Sequence, residues 1–473
     1  MIRFRSILLF VAGIGIGCRS AESQPMRLPS TVSAGVSAAK PRVDTSPVQP
    51  AAHEMLLQPA GVESHAPTPF GTAEPLPPRN GAQSHTDSLD EFLQLALATN
   101  PAIAQAEARV QALRGQRVQV GLPPNPTIGY TAEEMGDGGT AGKQGGFVGQ
   151  QFITGGKLRL NRAVLSREIE QAEQRLAAMQ LRVGTDVRRA FYAALIAHRR
   201  IELAEELLRA SSQATKASQE LLQAEEIPQA GLLQTQIEQQ SFAIVSQTAN
   251  NEQQAAWRQL SAVVGSDLHP RPLTGDVTQL PTLLDWDDQL LRVTTRSPEI
   301  SAAFAAVDRA QTALERARAE PLPDVSTQAT VQYDKATGDT VAGVQVGLPL
   351  PIWNRNQGGV WQAQAEVAEA RRNAQRVEAD LKRRLAVAYQ QYANARAQAE
   401  IYSTQILPKS QETYELVQRG YRLGEIGYLD LLTAQRTYAQ TNLAYLDALS
   451  TLWASWTEID GLLLSGSLMT PSE

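Results

Sequence analysis

Chemistry by side chains needs nucleophiles, acid–base pairs or ligand sets held at fixed spacing, and this sequence of 473 residues offers few of them. His53, His65 and His85 lie far apart in a stretch with no element to hold them, so they read as solvated side chains rather than a preformed metal cage. His198 stands beside Arg199 and Arg200, and His269 precedes a proline; neither has a nucleophile and a carboxylate arranged around it. Glu133 and Glu134 precede a glycine-rich turn, where solvation accounts for them. The expectation is a chain that is not an enzyme and holds neither a cofactor nor a resident metal. Two positions keep a distinct chemistry: the single thiol, Cys18, and Asp430, an acid at the start of a helical pattern.

Cys18 excludes disulfide frameworks and thiolate cages by being alone. Arg3 and Arg5 precede an apolar run from Ile7 to Gly17, too short for a stable spanning anchor, which reads as an export signal over residues 1–18. Ile16-Gly17-Cys18 has the form of a lipobox, whose cysteine is acylated to become the mature first residue, although Gly15 stands where Leu or Val is usual. Such lipid attachment would anchor the chain without a spanning helix. Ordinary cleavage beyond Ala21, discarding Cys18, is the alternative.

Residues 19–88 are rich in Pro, Ala, Ser and Thr and keep no apolar period beyond a turn, which marks a disordered linker. Beyond it the composition turns to Ala, Gln, Glu, Arg and Leu, and aromatics make up only 5% of the chain, a mixture suited to long helices rather than a thick globular core. A net charge of −6 with no basic stripe leaves nucleic-acid binding without its electrostatic footprint.

The chain then repeats itself. Asn100-Pro101 is answered by Ser297-Pro298, and Pro124-Asn125-Pro126 by Pro321-Leu322-Pro323. Ile227, Leu232, Leu233 and Gln236 are answered by Ile426, Leu431, Leu432 and Gln435. Two units, 89–265 and 286–465, are expected, with a connector over 266–285 and a tail over 466–473. Each opens with a helix, Leu89 to Val120 and Asp287 to Ala319, stopped by prolines. A hairpin of alternating residues follows. Val325, Thr327, Ala329, Val331 and Tyr333 face one way, against Ser326, Gln328, Thr330 and Gln332; the partner run places Ala342, Val344, Val346, Leu348 and Leu350 together. The first unit offers Ile128, Tyr130 and Ala132, then Val148 and Phe152, around the turn GDGGTAGKQGG. Apolar-out, polar-in alternation suits a membrane barrel, but four strands cannot close one. Several copies could.

Long helices come next. Leu381, Leu385, Ala388, Tyr392, Ala395, Ala399, Tyr402 and Ile406 form a heptad seam, and Leu432, Ala439, Leu446 and Trp453 continue one on the returning helix. Residues 357–423 would reach on the order of 100 Å as one helix, with a bend expected at Pro408. An antiparallel coiled coil used only as a spacer has the same periodicity.

Four strings, PNPTIGY from Pro124, ITGGKLRLNRA from Ile153, LPLPIWNRNQGG from Leu348 and ILPKSQETYELVQRGYRLGEIGYLDLLTAQRT from Ile406, resemble the outer-membrane factors of the TolC type, and among them the cobalt-, zinc- and cadmium-resistance branch. The resemblance implies a mainly α fold with a small β part: a homotrimer in the outer-membrane lipid, four strands per chain building a twelve-stranded barrel, and long helices forming a periplasmic tunnel. It also implies work with a periplasmic adaptor (membrane fusion) protein and an inner-membrane pump of the RND type. The turns around Glu226, Ile227 and Pro228 and around Gly424, Glu425, Ile426 and Gly427 would meet the adaptor. Gly424 and Gly427 are expected to supply positive φ there, leaving Glu425 and Ile426 at an exposed apex. Asp430 matches an acidic aperture position, where a ring of carboxylates would favour cations; a helix-start acid on the positive end of the dipole is the plainer reading. Gly231 at the equivalent place in the first unit argues against a second ring. Trp353, leaving the second hairpin, would sit at the membrane boundary.

Three functions fit: a passive exit duct for divalent heavy metals; the same duct for drugs, solvents or a secreted polypeptide; and a lipid-anchored coiled-coil scaffold without a pore.

Overall fold

The computed structural model describes residues 88–469 apart from 137, 139, 140 and 424. The export signal, Cys18, the linker histidines, Gly424 and the last four residues lie outside the described part.

Helix α1 (Leu89–Thr99) and helix α2 (Pro101–Gln119) replace the single opening helix that periodicity suggests, and α5 (Trp286–Arg296) and α6 (Pro298–Ala319) do so in the second half. Proline disfavours helical backbone in the residue before it. Asn100 and Ser297 therefore share one extended conformation, φ −68° and ψ 123°, and the Asn100 carboxamide accepts from the Ala102 amide at 2.9 Å to start α2.

Strands β1 (Thr127–Gly136), β2 (Ala141–Phe152), β3 (Val325–Asp334) and β4 (Thr340–Gly347) form one antiparallel sheet in the order β1-β2-β3-β4. Most of the string read as a loose turn is strand, because Lys143 to Gly146 pair with both β1 and β3. Conversely, Leu348 and Leu350 fall beyond β4, among prolines that cannot donate to a ladder.

Helix α3 (Lys157–Gln223) runs unbroken for 67 residues, on the order of 100 Å, and returns as α4 (Gln229–Val264). In the second half α7 (Gln357–Ile401) passes through a π turn (Tyr402–Ile406) into α8 (Leu407–Arg422), and α9 (Tyr428–Asp460) returns. The π turn stands immediately before Pro408, which cannot donate the usual backbone bond. Its wider winding rotates the helix face. The seam is buried from Leu381 to Ala399, Tyr402 is half-buried, and Ile406 is exposed while Leu407 packs on the core in its place. On α9, Leu432, Ala439, Leu446 and Trp453 are all buried, as their spacing predicts.

The main core gathers α1, α3, α4, α5, α7 and α9 around Phe92, Phe191, Leu260, Leu385, Leu449 and Leu452. Each such side chain contributes roughly 1.5–3 kcal/mol by leaving water. The connector is stitched to this core: the Trp453 indole donates to the Val277 carbonyl at 2.9 Å, and the Leu284 amide donates to the Tyr392 hydroxyl at 3.0 Å.

Candidate functional site

Register decides what each face of the sheet presents. Ile128 stands opposite Val148, Val148 opposite Ala329, and Ala329 opposite Val344, giving one apolar row across all four strands. A second row runs Tyr130, Gly146, Val331 and Ala342. On the other face one row carries Thr127, Gln328 and Gln345, another Thr131 and Gln332 with Val341, and the row between them Thr330 with Phe147. The apolar rows lie open, with Ile128 84% and Val344 81% exposed. A soluble sheet would bury that face. Among the described residues, the outer edges of β1 and β4 have no partner strand.

Two clamps join the sheet to the helices. Gly155 and Gly156 turn the chain out of β2 with φ of 65° and 67°, and the buried Lys157 then reaches Asp324 at 3.0 Å; that carboxylate also accepts from the Thr154 amide at 2.9 Å. In the second half the Asn356 carboxamide donates to the Ala317 carbonyl at 2.8 Å. Trp353, between β4 and α7, is 85% exposed, and so is most of Trp361 in the second turn of α7, a residue that the sequence reading passed over.

At the opposite ends of the long helices lie the two turns. The first is a Schellman motif: the Glu226 amide donates to the Leu221 carbonyl at 2.9 Å and the Glu225 amide to Leu222 at 3.0 Å, with Glu225 in the left-handed region at φ 59°. The second repeats the long bond, from the Glu425 amide to the Gly420 carbonyl at 2.9 Å. Gly427 does not supply positive φ. Its φ of −70° and ψ of 154° make it the extended residue that starts α9, as Pro228 starts α4. Nor is Ile426 bare: it is half-buried over Gly420, where an added Cβ would meet its Cδ1 at 2.5 Å. Ile227 is likewise half-buried, while Glu226, Pro228 and Glu425 are exposed.

Asp430 is exposed in the first turn of α9, its carboxylate close over Gly427. It borders an open cleft of about 530 Å³ between α8 and α9, with Lys409, Thr413, Thr433 and Thr437 along the walls. Gly231 leaves the matching place on α4 to the Ile227 side chain.

No local pattern announces a link between the two helical hairpins near their turns. Glu238 on α4 is 5% exposed and accepts from Nε and an Nη of Arg436 on α9 at 2.8 and 2.6 Å. That bond raises the Arg436 guanidinium above its ordinary value, so the ion is kept. Burial pushes the nearby Tyr428 hydroxyl up, with Tyr421 and Glu238 adding to the effect, and Tyr428 stays neutral. The partners are 198 positions apart, too far for any local pattern to pair them. Among the described residues there is no group of acids and histidines that could hold a metal ion, and no helix long and apolar enough to cross a membrane. His198 is an exposed side chain near Glu202.

Several known proteins are similar to this chain. The cobalt-zinc-cadmium resistance protein CzcC of Cupriavidus metallidurans is 28% identical over 398 residues, which span 82% of this chain and 92% of that protein. The nickel-cobalt-cadmium resistance protein NccC of Alcaligenes xylosoxydans xylosoxydans is 24% identical over 63% of this chain and 68% of its own length. Among solved structures, a membrane protein from Pseudomonas aeruginosa superposes with a TM-score of 0.68 at 18% identity, covering 80% of this chain and 90% of that one. Residues 92–266 and 291–463 each match the family described as outer membrane efflux protein, so the chain, with its exposed apolar sheet and paired long helices, belongs to that family.

Proposed function

We propose that three copies of this chain form the outer-membrane duct of a tripartite efflux assembly that expels divalent heavy-metal cations. The observation that carries the reading is the sheet: its apolar rows face outward, and the free edges of β1 and β4 allow copies to join edge to edge. Three such sheets make twelve strands, enough to close a barrel with lipid outside and Gln and Thr within. The long helices would continue the duct across the periplasm. Their turns, with exposed Glu226, Pro228 and Glu425, would meet the adaptor, and an inner-membrane RND pump would choose the cargo. Asp430, from three chains, would line the entrance and favour cations. Trp353 would mark the bilayer boundary, and Cys18 would carry the lipid anchor. The duct is passive and has no catalytic part.

The metal cargo is supported by the names of the two curated relatives, both metal-resistance proteins. Deleting the gene should lower tolerance to cobalt, zinc or cadmium, and the purified protein should conduct in planar bilayers. Conductance with unchanged metal tolerance but lost solvent or drug tolerance would keep the duct and change its cargo. Absence of conductance would leave only the scaffold.

A further inference from the structure

Where α2 ends and α3 begins, at the foot of the sheet, an open cleft of about 370 Å³ is lined by Arg117, Arg159, Arg162, Ala163 and Ser166. Among the described residues, none of these three arginines is within ion-pair distance of a carboxylate. The contrast along the same helix pair is sharp. Arg109 pairs with Glu168 at 3.6 Å and Arg114 with Glu173 at 2.9 Å, so charge is matched farther from the sheet and unmatched beside it.

The arginines are also placed. The Arg162 stem lies across Gly121, where an added Cβ would collide with its Cδ. The Arg159 guanidinium hangs at the α3 N-terminus, its nitrogens 3.8 Å from the point where a Gly156 Cβ would stand. Gly156 offers no side chain to the first-turn amides of that 67-residue helix, so its donors and the positive end of its dipole add to the cleft. Three like charges facing one cleft repel one another unless an anion enters, and guanidinium forks match phosphate oxygens in bidentate geometry.

We propose that this cleft binds a phosphate oxyanion, supplied by the headgroup of an anionic phospholipid in the leaflet nearest the helices. Depth favours the lipid source. Arg159 and Arg162 stand in the first turns after β2 and Arg117 in the last turn before β1, and exposed Trp353 and Trp361 occupy the matching zone after β4. Trp and Arg are the side chains suited to the headgroup layer. The lipid assignment rests on the barrel proposed above.

The test uses the full-length purified protein and native mass spectrometry after exposure to phosphatidylglycerol or to phosphatidylcholine, with inorganic phosphate as a separate probe. The wild type should retain phosphatidylglycerol over phosphatidylcholine, and R117Q/R159Q/R162Q should lower that preference about tenfold. R109Q/R114Q, which removes two charges from paired positions on the same helix pair, should leave it unchanged. Inorganic phosphate bound by the wild type and not by the triple variant, without lipid preference, would support the oxyanion site with a soluble source. Equal lipid preference in the wild type and the triple variant, or no binding of either probe, overturns the proposal. Conductance of the wild type and both variants in phosphatidylcholine bilayers is measured alongside: its absence in the wild type sinks the barrel, while its presence with failed lipid binding sinks this site alone.

Discussion

Replacing Arg436 with alanine tests whether the two helical hairpins are held together at their far ends. The change leaves the Glu238 carboxylate, 5% exposed, without the two bonds at 2.8 and 2.6 Å that now offset its burial. Removing one partner of a buried pair costs about 3–5 kcal/mol. Half of the Arg436 side chain is in water, so solvent screens part of its attraction and the expected loss falls to about 2 kcal/mol. At about 1.4 kcal/mol per tenfold, that raises local opening roughly 30-fold. Amide hydrogen exchange of α4 and α9 in the purified protein reads this directly, with peptides over 229–245 and 428–440 losing protection while the core around Phe191 and Leu449 keeps it. Glu238→Gln is the control, because a neutral amide tolerates burial and still accepts from Arg436; its effect should be less than half as large. Unchanged exchange in R436A, or an equal loss in E238Q, would show that the charge pair does not hold the hairpins.

Three further outcomes follow from particular contacts. Glu225→Gly relieves a non-glycine residue at φ 59° and should stabilise the first turn by about 1 kcal/mol, seen as slower exchange at Glu226; faster exchange there would mean that the Glu225 side chain matters more than its backbone. Lys157→Met leaves Asp324 with the Thr154 amide alone and should cost about 2–3 kcal/mol in thermal unfolding, with partial recovery in K157M/D324L. No recovery in the double variant would show that the clamp acts through more than this pair. In proteoliposomes Trp353 fluorescence should be quenched by shallow lipid-attached quenchers, and equal quenching by soluble iodide with none by lipid probes would place it outside the headgroup layer.

Periodicity made the fold legible wherever burial follows a fixed step. Leu381 to Ala399 lie inside because four–three spacing holds there, and the strand faces could be assigned because side chains alternate regardless of pairing. Ile406 failed because one wide turn before Pro408 rotates the helix, which composition does not announce. Asn100 and Ser297 each precede a proline, a signal that was present in the sequence but outweighed by the apolar pattern running through it. At the tips the residue types were readable and their backbone roles were not: Glu225 takes the left-handed conformation expected of glycine, while Gly427 takes an ordinary extended one. The Arg436–Glu238 link and the Arg117 cleft depend on residues brought together from distant helices, so only tertiary structure reveals them.

The unpaired margins of β1 and β4 bear on how such a chain reaches its membrane. A lone sheet in lipid would leave both margins with unbonded amides and carbonyls, each costing several kcal/mol, so a single copy has no resting place in the bilayer. Insertion and closure must therefore happen together, with partners already at hand. Genetics should register this as dominance: a copy with a charge planted in the Val344 row, expressed beside the intact gene, should enter mixed assemblies and disable them, so that half-normal dosage of good chain yields far less than half-normal resistance.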